Sequence, residues 1–211
     1  MPEVTKGDKV ITGDLYIGGS IKKVDDIEAT KMSPTLLALP GKTPVNGVAA
    51  AGKMVSNGSL AADGTVVTIG TTVYALVTSL SVGPAVPFEV LLGVATTNTA
   101  ANLTAAINGA AGAGTTYATG TTAHPDVTAT ASSDDVDLEA DVKGVAGNLI
   151  ATTDDSATIT WDGPEVALVG GVDGTVGIAN ETCADATYAY HCIAANTIAD
   201  ANWRRMTLDS F

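Results

Sequence analysis

Residues 65–77 read TVVTIGTTVYALV. On both sides of Gly70 apolar and polar side chains alternate, the period of two that turns one strand face toward a core. Val, Ile, Thr and Tyr favour a pleated surface, and Gly70 supplies the backbone freedom of a tight turn. The stretch therefore predicts a β-hairpin, and it sets the pattern for most of the chain.

Upstream, VAAAGKMVSNGSLAADG (48–64) adds a strand closed by turn residues, and downstream PFEVLLG (87–93) adds another. The period then changes in TNTAANLTAAINGAAG (97–112), where Ala100, Leu103, Ala106 and Ile107 share one face at helical spacing. Thr97 or Asn98 is expected to cap this helix at its start and Gly109 at its end. DVTATASSDDVDLEAD (126–141) reads as a second hairpin, with GVAGNLIATTDDSATITW (144–161) and EVALVGG (165–171) as further short strands. One helix among so many strands predicts a mostly β, α+β domain over residues 46–174.

Two flanking segments read differently. Residues 1–45 form an expected N-terminal arm: KVITGDLYIGGSIKKV (9–24) suits a short hairpin or bulged strand, and DDIEATKMSPTLLALPGKTPVNG (25–47) is broken by Pro34, Pro40 and Pro44. Leu15, Tyr16, Ile17, Leu36 and Leu37 are its candidate anchoring residues. Residues 175–211 read as a C-terminal β-hairpin module, TYAYHCIA pairing with WRRMTL through ANTIADAN. Tyr188, Tyr190, Trp203 and Phe211 are four of nine aromatics in the chain, and Arg204 and Arg205 are its only arginines.

Composition narrows the function. Aromatics are 4 % of the chain although hydrophobic residues are 45 %, so the core must be built of small and β-branched side chains. A net charge of −13 disfavours nucleic acid and anionic membrane surfaces as partners. The opening MPEVTKGDKVITGDLY has no apolar leader region, and no stretch has the length of a transmembrane helix.

Motifs for chemistry fail when tested. LPGKT (39–43) ends like a phosphate-binding loop, but position 36, where that loop needs glycine, is leucine. GAAGAG (109–114) follows a helix instead of opening one, against the order of a dinucleotide fingerprint. His191 and Cys192 are strand neighbours pointing to opposite faces, so they cannot act as base and nucleophile; His124 falls in a loop with no nucleophile marked beside it. Asp135, Asp137, Glu139 and Asp141 alternate with Val136, Leu138 and Ala140, which predicts a solvated strand face more readily than a cation site. Cys183 and Cys192 are either two free thiols or a hairpin disulfide. No catalytic residue, metal site or cofactor is expected.

Two segments resemble a known family. TNTAANLTAAINGAAGAGTTYATGTTAHPDVTATASSDDVDLEADVKGVAGNLIATTDDSATITW followed by ALVGGVDGT resembles a module of tailed-bacteriophage and prophage structural proteins, over roughly residues 44–175. The tail is similar to a C-terminal element of phage virion proteins in which an aspartate, a YxYxC strand and an NxWRR strand recur. Asp185, Tyr188, Tyr190, Cys192, Asn196, Trp203, Arg204 and Arg205 occupy those positions. The resemblance implies a non-enzymatic virion protein, made in the bacterial cytoplasm. Such a chain would be a capsid-decoration or head-fibre subunit, commonly a homotrimer, binding the major capsid protein or another virion protein. A tail, collar or fibre-base component, or a host-surface-binding domain, is the alternative. That last role calls for exposed aromatics, for which only Tyr74, Tyr117 and Trp161 are spare. Tyr188, Tyr190, Trp203, Arg204 and Arg205 are accordingly the candidate oligomer interface; the other reading makes the hairpin a mini-core of a single chain.

Overall fold

The Gly70 hairpin forms. Strands β2 (Thr65–Ile69) and β3 (Thr72–Val77) pair antiparallel with Ile69 opposite Thr72, and Gly70 takes a φ of 58° in the turn between them. In this computed structural model the described residues are 41–81, 86–162 and 166–207. The chain divides after Ala38, and all of these residues belong to the second unit, Leu39–Phe211.

The other elements are β1 (Ala51–Ser56), β4 (Glu89–Leu91), α1 (Thr96–Asn108), β5 (Val127–Ser132), β6 (Asp135–Ala140), β7 (Thr152–Asp154) and β8 (Ile159–Trp161), with β9 (Thr182–Ala184), β10 (Tyr188–Cys192) and β11 (Trp203–Thr207) closing the chain. They make three sheets, ordered β4-β3-β2-β7, β5-β6-β1-β8 and β11-β10-β9. Among the strand pairs of the described residues, β3–β4 alone is parallel. The protein is thus mostly β with one α-helix among the described residues.

Helix α1 packs on β4 of the first sheet and on β5 and β6 of the second, so it fastens the two together. Ala100, Leu103, Ala106 and Ile107 are its buried face. They join Val67, Ile69, Tyr74, Leu76 and Val90 from one sheet and Met54, Val136, Leu138, Ile159 and Trp161 from the other in a single apolar cluster. Small side chains allow the layers to approach closely. A methyl group at Gly147, in the 3-10 turn Val145–Leu149, would lie 2.8 Å from Ala50 Cβ and 2.9 Å from Ala140 Cβ.

The helix ends as expected and starts otherwise. Gly109 adopts φ 60°; its N–H donates to Ala106 O, and Ala110 N–H donates to Ala105 O, the paired bonds of a left-handed helix stop. Neither Thr97 nor Asn98 is the N-cap. That position is Ala95, whose side chain makes no capping bond, while Thr99 Oγ1 accepts Gly93 N–H at 2.9 Å and so folds the preceding loop onto the first turn. Asn108, the last helical residue, reaches the sheet. Its amide donates to Ala129 O and accepts Ala129 N–H, both at 2.8 Å, occupying the open edge of β5.

Two further expectations change. Over its described residues, 166–171, EVALVGG is not a continuous strand: Ala167 pairs with Ala151 and Val169 with Ala51, as isolated bridges. The segment switches partners around Leu168, which is inserted in the core. The C-terminal hairpin gains a third strand, β9, paired with β10.

His124 is a structural pin. It is buried, its Nδ1 accepts Asp126 N–H at 3.1 Å, and its Nε2 lies 3.0 Å from Ile69 O. Since Nδ1 is the acceptor, Nε2 carries the proton and donates. The loop after α1 is thereby tied to the end of β2.

Candidate functional site

The C-terminal module has its own small core: Cys183, Tyr190, Cys192 and Trp203, with Tyr188 packed against it. Strand parity explains the set. Trp203 faces Cys192 and Arg205 faces Tyr190 across β10 and β11, while Tyr190 faces Cys183 across β10 and β9. These residues share one face of the sheet. Arg204, opposite His191, lies on the other.

Two polar side chains complete this core. Trp203 Nε1 donates to Thr175 O at 2.8 Å, and the buried Asn196 donates to the same carbonyl at 2.8 Å and to Thr197 O at 2.9 Å, while its Oδ1 accepts Asn202 N–H at 2.7 Å. Asp185 staples the β9–β10 turn. Its Oδ1 accepts the N–H groups of Thr187 and Tyr188, and its Oδ2 accepts the Tyr190 hydroxyl at 2.6 Å. The Tyr190 hydrogen bond first, and the two backbone donors next, hold the Asp185 carboxyl at about 2. The same hydrogen bond, helped by burial, pushes the Tyr190 hydroxyl up to about 12.

The chain leading in from residue 41 belongs to this module. Lys42 N–H donates to Ala184 O, Thr43 Oγ1 to Asp185 Oδ2, Val45 N–H to Thr175 Oγ1 and Gly47 N–H to Asp200 O. The Lys42 ammonium lies 4.9 Å from the Trp203 ring centroid and pairs with Glu181 at 2.8 Å, which lowers the Glu181 carboxyl below its usual range. Between the Thr43–Asn46 segment and Tyr190, Trp203, Arg204 and Arg205 lies an open groove of about 480 Å³.

The structure separates the candidate interface residues. Trp203 and Tyr190 are buried within the chain and Tyr188 is half-buried, whereas Arg204 and Arg205 are exposed. Arg205 lies with its guanidinium 4.6 Å from the Tyr188 ring centroid, and Arg204 Nη1 donates to Ala201 O and Trp203 O. Leu15, Tyr16, Ile17, Leu36 and Leu37 lie outside the described residues, as does Phe211.

Cys183 and Cys192 are free thiols, both buried. The hairpin disulfide does not form because Cys183 stands opposite Tyr190, which makes Cys192 its diagonal neighbour. Diagonal positions are about 7–8 Å apart, beyond the usual reach of a disulfide. Burial raises the Cys183 thiol, and Cys192 Sγ donates to Ala194 O.

The predicted acidic face is present on β6. Val136, Leu138 and Ala140 point inward, and Asp135, Asp137, Glu139 and Asp141 outward. Lys53 on β1 pairs with Asp135 at 3.1 Å and approaches Asp137 at 3.8 Å. Among the described residues no group of three or more His, Cys, Asp or Glu side chains is placed to hold a metal ion. Among them, too, no helix is long and apolar enough to cross a membrane.

Tyr74, Tyr117 and Trp161, the aromatics that glycan or host-surface binding would use, are all buried in the main core. Sequence reasoning assigned Lys42 to the N-terminal arm and gave Thr175 and Glu181, inside the module's bounds, no role, because each contributes through contacts distant in the chain. Comparison with protein-family models, with curated proteins and with solved structures finds no match to this chain.

Proposed function

We propose that this chain is a non-enzymatic structural protein of a tailed-bacteriophage virion. On this reading it is a capsid-decoration or head-fibre subunit, assembled as a homotrimer, that binds the assembled head and stabilises it. One observation carries the reading. The residues by which the tail resembles phage virion proteins, Asp185, Tyr190, Cys192, Asn196 and Trp203, are those that build the C-terminal module's core and hydrogen-bond network. A motif whose members hold one small fold together is a structural element that different virion proteins can carry.

The small-residue β body supports the same reading, since a sheet protein with open edges gains from neighbouring copies. Stabilisation of the shell follows from mass action, because contacts made only with assembled capsid lower the free energy of the assembled state. The N-terminal arm is the proposed anchor. Residues from Lys42 onward bond to the module, so the truncation that tests the anchor removes residues 1–40 and keeps Gly41.

The deciding experiment is immunogold labelling of intact virions with antibody to this chain, viewed by electron microscopy. Label over the head is expected. Label confined to neck or tail transfers the proposal to a collar or fibre-base role, and unlabelled particles containing none of the chain overturn it.

A further inference from the structure

Arg204 and Arg205 are the chain's only arginines, and both are exposed on β11. Among the described residues β11 pairs with β10 alone, so its outer edge is open. Lys42, beside Trp203, pairs with Glu181, and Lys53, beside β6, pairs with Asp135 and approaches Asp137. Neither guanidinium lies within ion-pair distance of a carboxylate among the described residues. Arg204 bonds two backbone carbonyls and Arg205 rests on Tyr188. In a chain of net charge −13, two guanidinium forks on neighbouring residues, neither with a carboxylate partner among the described residues, are suited to a surface outside that chain.

The same chain carries the complementary surface. On the outer face of the β5–β6 hairpin, the short side chains of Ala51, Thr128 and Thr130 floor a depression of about 500 Å³ rimmed by Asp137, Glu139 and Asp141. Glu139, exposed at the centre of this rim, has no side-chain hydrogen bond among the described residues. Long basic side chains fit where the floor is short and the rim acidic.

The geometry points to a head-to-tail contact between copies, in which the open β11 edge of one copy meets the acidic depression on β6 of the next, Arg204 reaching in from one face of the strand and Arg205 from the other. The contact joins two different patches of one surface, so it is heterologous, and it closes into a ring where the rotation between copies allows. It rests on the chain acting as a multi-copy subunit, as proposed above, but not on where the virion carries it.

Sedimentation of the full chain tests it. The wild type is expected to associate at low salt and to dissociate as salt approaches 1 M, where the screening length falls to about 3 Å. Reversal at one patch, R204E/R205E, or at the other, E139K/D141K, is expected to weaken association roughly tenfold or more, because like charges then face each other. Combining all four substitutions in one chain is expected to restore it, which a variant that merely misfolds cannot do. A monomeric wild type, association indifferent to salt, or four-fold substitution without rescue overturns the contact. Virion labelling is read separately: a labelled head with a monomeric chain in solution would overturn this contact alone.

Discussion

The Tyr190 hydroxyl donates to Asp185 Oδ2 at 2.6 Å, and this one bond couples the turn that joins β9 to β10 with the aromatic core beneath it. The residues lie five positions apart, on a turn and on the strand that follows.

Tyr190→Phe should flatten the module's pH dependence at both ends. The Asp185 carboxyl sits at about 2 when folded against an ordinary 3.8, so its contribution is present above the unfolded value and lost as pH falls toward 2. The Tyr190 hydroxyl sits at about 12 against 10.0, so its contribution is present below the unfolded value and lost as pH rises toward 12. Melting followed by circular dichroism should show both limbs in the wild type and weaker limbs in the variant. Equal slopes in the two proteins would show that the pair does not couple to folding.

Gly177 and Trp203 should behave as a coupled pair. A methyl group at Gly177 would lie 2.4 Å from Trp203 Cζ2, so Gly177→Ala should destabilise by about 1–3 kcal/mol through overpacking. Trp203→Phe loses the bond to Thr175 O, a cost of about 1 kcal/mol since Asn196 still satisfies that carbonyl, and it empties the space Cζ2 occupied. The double variant should therefore fall short of additivity by at least about 0.5 kcal/mol in urea unfolding. Strict additivity would contradict the contact.

His124→Ala should cost about 1–3 kcal/mol, because it leaves Ile69 O without its buried donor. His124→Gln, whose amide nitrogen reaches as far as Nε2, should recover part of the loss. Equal losses for Ala and Gln would place the effect in packing, not in the hydrogen bond.

Asn108→Asp should destabilise where a surface charge change ordinarily would not. The carboxylate can accept Ala129 N–H, but it turns a second acceptor toward Ala129 O, where the amide nitrogen had donated. A loss of about 1 kcal/mol is expected from the broken, part-buried hydrogen bond, together with faster aggregation on heating as the β5 edge opens. Light scattering during the melt reads the second effect.

The two thiols should react with a chromogenic disulfide reagent only when denaturant is present. Both are buried, and their diagonal placement keeps them from pairing. Rapid labelling of the native chain, or an intramolecular crosslink on mild oxidation without unfolding, would contradict the arrangement.

Much of this fold is written in local pattern. The alternation around Gly70, the switch to helical spacing from Ala100 to Ile107, the left-handed stop at Gly109 and the inward–outward order of β6 all depend on residues close in sequence. Each was legible for that reason. The start of α1 was not, because Gly93 and Thr99 form a tertiary bond where a side-chain cap was expected. Nor was β9: TCA is too short to show a period, and it is a strand only because β10 lies beside it.

What the sequence determined alone is the mostly β architecture with one α-helix among the described residues, a thin core of small residues, and the gathering of aromatics and arginines into the last strands. Those properties follow from backbone periodicity and composition. Tertiary structure decided which of these last residues are inside. Trp203 turns inward because Lys42 and Thr175 cover it from distant points in the chain, with Asn196 bonded to the same Thr175 carbonyl, while Arg204 and Arg205 remain on an open edge. Strand parity assigns the faces of a strand, but burial depends on what is laid against each face, and here that is supplied by segments about thirty and more than a hundred and fifty residues away.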